Sequence, residues 1–190
     1  EVVSPFAANT TAGRFIDKNN GSSGYMTIFQ CHDSLKRKKY IENMGIRVLN
    51  AFENHGVFIN NQFHPKDLPG SLVEIDSVTN TNYKEKYADW PPAGPNWRQN
   101  IDEEYVRGIV GATIATENPE KLSKLWSEVL DSKLIVENNC PSIVLENANI
   151  TFVKAESDYT DLVGIKIKAS QKRLNIGQNI KMLGLDINFI

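Results

Sequence analysis

Residues 24 to 33 read Gly-Tyr-Met-Thr-Ile-Phe-Gln-Cys-His-Asp, and the fold can first be inferred from this stretch. Its residues suit an extended strand, in which successive side chains point to opposite faces of a sheet. Three of them share one face: Met26, Ile28 and Gln30. Asp33 or Ser34 can then cap a helix that runs to about residue 43. The stretch therefore predicts a strand that leads directly into a helix.

Two later segments begin in the same way. Residues 110 to 118 alternate as a strand and lead to Pro119, which opens the clearest helical pattern in the sequence. Residues 163 to 170 form a third alternating strand, followed by a short polar stretch in place of a long helix. Strands that can pair as hairpins follow each opening strand. The chain therefore repeats a unit of one strand, one helix and up to three further strands.

A segment without sustained periodicity separates the repeats. Residues 77 to 104 include Trp90-Pro-Pro-Ala-Gly-Pro-Asn-Trp97, and we interpret them as a linker. Its tryptophans predict that it packs on something, because side chains with so much aromatic surface are usually covered. The expected organisation is a first half at 1–76, the linker at 77–104, and a second half at 105–190 whose last module is degenerate.

Composition narrows the class of partner. A formal net charge of -2 and a pI near 6.0 give no reason to expect nucleic acid. No apolar run approaches the roughly 20 residues of a membrane span, and no signal peptide opens the sequence as given. Two cysteines without CxxC spacing favour a reducing compartment. We expect a cytoplasmic protein that binds a small-molecule ligand, with no nucleic-acid or membrane partner, and we include a homodimer among the expectations.

Two stretches resemble a known family. His64-Pro-Lys-Asp-Leu-Pro-Gly-Ser-Leu-Val-Glu74 is similar to the closing strand of methylmalonyl-CoA epimerase and other glyoxalase-like proteins of the vicinal oxygen chelate superfamily. Glu1-Val-Val-Ser-Pro5, with residues 12–16 and 21–24, resembles the passage between the epimerase's two modules. Together these cover residues 1 to about 76, whereas 105 to 190 resemble the family only in their module pattern.

The resemblance implies a fold and a metal site. The fold class is α+β, with repeated βαβββ modules that form curled mixed β-sheets and carry helices on their outer faces. In the family, a divalent metal acts as a Lewis acid, and Glu1 and Glu74 fall on two ligand positions. Met26 falls on a third, where the epimerase has histidine, and a thioether is a poor ligand for a hard divalent ion. In the second half the equivalent positions do not make a metal set: Gly111, Thr151, Gly164 and Asn188.

These considerations define a predicted site. Glu74 is expected to act as a metal ligand or general base, with Glu1 as its partner. Five residues are expected to line the pocket: Met26, Ile28, Gln30, His64 and Asp76. Two plainer interpretations stay open at this point. Glu74 can be a solvated carboxylate at a strand end, and His64 can serve only hydrogen bonding within its turn.

Two functions follow from the same site. The first is a glyoxalase-like enzyme that acts on a small oxygenated metabolite by metal-assisted isomerase, lyase or dioxygenase chemistry. The second is a binding or resistance protein of the same superfamily, whose degenerate metal site leaves a cleft that holds its ligand without chemistry.

Overall fold

The computed structural model describes residues 2–19, 21, 23–79, 81–156, 158–170 and 177–190. This part of the chain contains three α-helices: α1 (Thr11–Lys18), α2 (Ser34–Asn43) and α3 (Pro119–Leu130). Its eleven strands are β1 (Met26–Gln30), β2 (Val48–Asn54), β3 (Phe58–Phe63), β4 (Leu72–Val78), β5 (Val106–Thr116), β6 (Lys133–Glu137), β7 (Cys140–Val144), β8 (Asn149–Lys154), β9 (Asp161–Ala169), β10 (Asn179–Met182) and β11 (Leu185–Phe189).

The first sheet has four strands in the order β1-β4-β3-β2. β1 and β4 run parallel, and β3 pairs antiparallel with both of its neighbours. α2 connects β1 with β2 and packs against β3 and β4. The Oγ atoms of Ser34, in α2, and Ser77 lie 2.8 Å apart, and Asn61 donates to the Ser34 carbonyl at 3.4 Å. These contacts place α2 on the face of the sheet that carries Ser77 and Asn61.

The second sheet has seven strands in the order β10-β11-β9-β5-β8-β7-β6. β5 lies parallel to β8, as β1 does to β4, and α3 follows β5. β9 lies parallel to β11, and the antiparallel pairing of β5 with β9 joins the two sets of strands. The polar stretch expected after the third opening strand falls largely on 171–176, which lie outside the described residues.

Local sequence explains where α2 and α3 begin. The Asp33 side chain accepts a hydrogen bond from the backbone N–H of Lys36 at 2.9 Å. Asn118 accepts one from Lys121 at the same distance, and Pro119 occupies the first turn, where a missing N–H costs nothing. Both predicted helix starts are confirmed, whereas α1 was not predicted.

One hydrophobic core joins the helix-bearing faces of both sheets. Trp126 of α3 is fully buried, and its ring meets Phe29 of β1 at 6.2 Å and Phe152 of β8 at 5.8 Å between centroids. Its indole N–H donates to the carbonyl of Pro69 at 2.9 Å. A tryptophan buried in this way needs a partner for its N–H, and the turn before β4 supplies it.

The linker is packed, as its tryptophans predicted. The ring of Trp90 meets Phe58 of β3 edge-on at 5.4 Å, and Tyr87 lies 6.5 Å from Trp97. The Arg98 guanidinium donates to the carbonyl of Tyr87 at 2.9 Å. The segment therefore lies against the first sheet, while the proposed division of the chain at 77 and 104 stays a prediction.

The predicted fold class is confirmed: an α+β chain with two curled mixed sheets built from strand–helix–strand repeats. Some strand ends differ from expectation, and β4 begins at Leu72 where Gly70 was expected. Gly70 has a φ of +117°, a left-handed value that suits a turn and not a strand. Among the described helices, none has the length and apolar character needed to cross a membrane.

Candidate functional site

The residues of interest lie on the face of the first sheet opposite α2. Strand register places Glu74 of β4 between Ile28 and Gln62, and Asp76 between Gln30 and Asn60. Cross-strand partners share a face, as do residues two apart on one strand. We call the resulting set the carboxylate face: Glu74, Asp76, Gln30, Asn60 and Gln62.

Amide groups on β3 hold the two carboxylates of this face. The Gln62 side-chain N–H donates to Oε2 of Glu74 at 2.7 Å, and Asn60 donates to Oδ1 of Asp76 at 3.1 Å. Glu74 is 7% exposed and Asp76 is fully buried. Glu74 is therefore not the solvated strand-end carboxylate that the plainer interpretation described. Buried acids are costly unless they are hydrogen-bonded, and each of these has one amide donor.

The surroundings of Asp76 make its ionisation unfavourable. Burial raises the pKa of Asp76 to about 8, with further contributions from the charge of Glu74 and a hydrogen bond to it. The Oδ2 atom of Asp76 is buried and has no donor among the described residues. A proton on this atom gives it a partner, because a protonated carboxyl group can donate a hydrogen bond to the Glu74 side chain. At neutral pH Asp76 therefore holds its proton.

A wide cleft borders the carboxylate face. Ile28 and Gln30 line it, and its volume is about 1980 Å³. The linker supplies most of its aromatic wall: Tyr83, Tyr87, Trp90 and Trp97. Gln30 pairs with Asp76 in the register of β1 and β4, so the cleft meets the carboxylate face at the edge strand β1. Glu74 and Asp76 themselves do not line the cleft.

The other predicted site residues lie in different surroundings. Met26 pairs with Leu72 at the beginning of β1, on the same face as Glu74. His64 lies in the connection between β3 and β4, where its Nδ1 accepts a hydrogen bond from the backbone N–H of Lys66 at 3.2 Å. Turn hydrogen bonding is therefore an observed role of His64. Glu1 lies outside the described residues.

The carboxylate face does not fit a divalent metal by itself. In the described ranges, no group of three or more His, Cys, Asp or Glu side chains is placed to hold an ion. Glu74 and Asp76 are two such ligands, and the amides of Asn60 and Gln62 use their N–H groups on them. Met26 supplies a thioether where a hard cation needs oxygen or nitrogen. We therefore derive no chemistry from a metal at this face.

Sequence reasoning missed Asn60, Gln62 and the aromatic wall. The two amide side chains lie two residues apart on β3, a strand whose first and last residues are phenylalanines. Polar side chains at that spacing on a buried strand are unusual and could have indicated a functional face. Their pairing with Glu74 and Asp76 depends on the register of β3 against β4, which has no local signature.

The second sheet has its own polar face, opposite α3. The four positions equivalent to metal ligands lie together on it: Gly111, Thr151, Gly164 and Asn188. Gly111 and Asn188 each pair with Lys166, and Thr113 pairs with both Thr151 and Gly164. Two glycines, a threonine and an asparagine offer little to a divalent metal.

Many solved structures resemble this chain, and three of them illustrate the likeness. A hypothetical protein from Staphylococcus aureus aligns with 95% of this chain and 70% of its own, at 10% identity and a TM-score of 0.64. A variant of 4-hydroxymandelate synthase from Streptomyces coelicolor aligns with 85% and 53%, at 12% identity and 0.56. The 2,2',3-trihydroxybiphenyl 1,2-dioxygenase from Sphingomonas wittichii aligns with 87% and 69%, at 11% identity and 0.52.

No protein-family model and no curated protein sequence matches the chain. The structural likeness, at such low identity, shows the fold alone. The chain spans about half the length of the synthase, at 53%. The activity, substrate and partners of the protein are therefore matters for proposal.

Proposed function

We propose that this chain is a glyoxalase-like protein that acts on a small oxygenated metabolite at the carboxylate face, by proton transfer of the isomerase or lyase type. The observation that supports the proposal is the buried pair of Glu74 and Asp76, whose neighbour Gln30 on β1 lines a cleft. Soluble domains seldom bury two adjacent acids without a use for them, because neither can ionise cheaply beside the other.

The pair can serve as acid and base within one site. Glu74, held by Gln62, can accept a proton from a carbon next to a carbonyl group. Asp76, which carries a proton, can return one or stabilise the negative charge on oxygen. The Gln30 amide can orient an oxygen of the substrate, because it lines the cleft and pairs with Asp76. A protonated carboxyl group beside a second carboxyl group is a common basis for proton transfer.

Proton exchange tests this chemistry without knowledge of the natural substrate. Small hydroxy ketones and 2-hydroxy acids are incubated with the protein in D₂O, and loss of the proton next to the carbonyl or carboxyl carbon is followed by NMR. We expect exchange of at least one compound with wild type and a loss of about 100-fold or more in Glu74→Gln, since a positioned base contributes 10²- to 10⁴-fold.

A matched control is available on β2, the edge strand at the other side of β3. Glu53 of β2 is exposed, and Glu53→Gln removes the same charge away from the carboxylate face. Exchange should be unchanged in this variant. Equal loss in both variants, or exchange that survives in Glu74→Gln, would contradict the assignment of Glu74 as the base.

A binding or resistance protein is the second candidate. It is favoured by Met26, which leaves the described face with too few ligands for the metal that the superfamily uses. Titration of wild type and Glu74→Ala with Mn²⁺ and Zn²⁺ separates the two candidates. Stoichiometric binding that depends on Glu74 supports a metal-dependent enzyme. Ligand-dependent thermal stabilisation without metal or exchange supports the binder.

A further inference from the structure

The cleft beside β1 has room for a ligand of its own. It reaches from this edge strand to the end of α3 and the turn between β7 and β8, and neither Glu74 nor Asp76 lines it. Its volume of about 1980 Å³ exceeds the roughly 300–1,000 Å³ of an ordinary small-molecule pocket. A ligand can therefore occupy the cleft without contact with the two buried acids.

Several apolar side chains of this cleft are open to solvent. Ile28 of β1 is 42% exposed and Ile109 of β5 is 55% exposed, although both lie on strands of a sheet. Tyr40 of α2 and Val144 of β7 line the same cleft and are also exposed. We call these four side chains the cleft floor. A single exposed apolar residue is ordinary, but several around one concavity are typical of a ligand-binding groove.

The aromatic wall that the linker supplies borders this floor. The Nζ atom of Lys84 lies 5.8 Å from the centre of the Tyr83 ring, and that of Lys86 lies 5.1 Å from the centre of the Tyr87 ring. Both lysine side chains are more than half exposed. A ring face covered only by an exposed lysine is not packed against the core, and the lysine can move aside for a planar group. The wall therefore suits a flat ring system, because aromatic rings stack favourably on one another.

The charges around the cleft favour an anion. Among the described residues, seven basic side chains line it and five acidic ones. Each acid already has a donor: Asp33 the backbone N–H of Lys36, Glu85 the amide of Asn82, Glu103 Lys86, Asp131 Arg37, and Glu146 Lys84. Three exposed lysines at the rim form no ion pair within the described ranges: Lys36, Lys133 and Lys168. The cleft is therefore positive in a chain whose formal net charge is -2, and it attracts negatively charged ligands.

We infer that this cleft is a ligand site separate from the carboxylate face, and that it takes a planar aromatic anion. The flat ring lies against the cleft floor and the aromatic wall, and the negative charge faces the rim lysines. An aromatic carboxylate and a nucleotide share this chemistry, and binding measurements distinguish them. The inference does not depend on the chemistry proposed for Glu74, because neither buried acid lines the cleft.

Four small probes test the site. 2-Naphthoate, 2-naphthalenemethanol, cyclohexanecarboxylate and AMP are titrated into wild type at constant ionic strength, and binding is followed by calorimetry and by amide NMR shifts. Wild type should bind 2-naphthoate about threefold or more tightly than the other two ring compounds, since 2-naphthalenemethanol lacks the charge and cyclohexanecarboxylate lacks the flat ring. Tighter binding of AMP than of 2-naphthoate would identify a nucleotide as the source of the anion, and the reverse order an aromatic carboxylate.

Matched variants of exposed residues locate the site. Ile109→Glu places a carboxylate on the cleft floor and should weaken 2-naphthoate binding by about tenfold or more, since it removes apolar contact and repels the anion. Val136 of β6 is exposed and does not line the cleft, so Val136→Glu should leave the affinity within about twofold of wild type.

The rim lysines have a matched control as well. Replacement of all three by glutamine should weaken binding of 2-naphthoate and leave that of 2-naphthalenemethanol unchanged. The same replacement at three exposed lysines outside the cleft should alter neither: Lys39, Lys121 and Lys124.

Several results would overturn the inference. They are absence of 2-naphthoate binding by wild type, and equal losses in Ile109→Glu and Val136→Glu. Equal affinities for 2-naphthoate and 2-naphthalenemethanol would overturn the assignment to an anion, and an equal affinity for cyclohexanecarboxylate the assignment to a flat ring. Glu74→Gln should leave the affinity for 2-naphthoate unchanged. A loss in that variant would place the probe at the carboxylate face and overturn the separate site, whatever the result of the proton-exchange experiment.

Discussion

Asp76→Asn is expected to stabilise the protein at neutral and alkaline pH. Asp76 is fully buried, and its pKa of about 8 lies far above the ordinary value of 3.8. Between those values the folded chain binds a proton that the unfolded chain has lost. The free energy of unfolding of wild type therefore falls as pH rises from about 4 to about 8. Asparagine imitates the protonated acid at every pH, since it can accept from Asn60 and donate to Glu74.

The magnitude follows from the same values. A tenfold change in proton affinity is worth about 1.4 kcal/mol, so the difference between 3.8 and about 8 sets an upper bound of about 6 kcal/mol. Local rearrangement and entry of water relieve part of the cost of a buried charge. We expect Asp76→Asn to exceed wild type by about 3 kcal/mol at pH 9 and to differ from it by less than about 1 kcal/mol at pH 4.

Urea unfolding followed by tryptophan fluorescence measures this difference, because Trp126 is buried in the core. Wild type, Asp76→Asn and the exposed control Glu53→Gln are compared at pH 4, 6, 7.5 and 9. The control should follow wild type throughout. If the curves of wild type and Asp76→Asn stay parallel across this range, Asp76 does not hold a proton in the folded state, and the proposed division of roles between Glu74 and Asp76 fails.

Three further predictions concern the hydrophobic core, the turn before β4, and Met26, which stands where the resemblance implies a histidine ligand. Trp126→Ala should lower the free energy of unfolding by about 3–5 kcal/mol, because it leaves a large cavity. Urea unfolding measures this loss. A loss smaller than about 1.5 kcal/mol would mean that the two sheets do not share this core. Gly70→Ala should cost about 1–3 kcal/mol, because φ is +117° and the new Cβ would lie 3.1 Å from Ile114; a melting temperature equal to that of wild type would contradict this account of the turn before β4. Met26→His should bind Zn²⁺ about tenfold or more tightly than wild type, since it adds an imidazole to the face that carries Glu74. Calorimetry compares this variant with the double variant that also carries Glu74→Ala. Equal Zn²⁺ affinities of the two would mean that Glu74 is too distant to share the ion.

The sequence predicted individual elements well where the cause is local. Asp33 and Asn118 are followed by helices because each side chain can bond an N–H three residues later, and this needs no tertiary contact. Alternation along residues 24 to 33 correctly placed Gln30 on the face of Met26 and Ile28. The expectation for His64 could not be resolved from sequence, because a turn residue can face a cleft or its own backbone with the same local pattern.

What the sequence determined by itself was the alternation of strand and helix, the α+β class and the choice of Glu74 and Asp76 as polar positions on a strand. Only the tertiary structure decided that these two acids are buried, that Asn60 and Gln62 are their partners, and that the aromatic wall of the linker borders a cleft. The physical reason is the separation along the chain over which each kind of interaction acts. Capping and strand periodicity act within a few residues, whereas burial and cross-strand register depend on segments far apart in the chain, whose pairing is settled by the packing of the whole sheet.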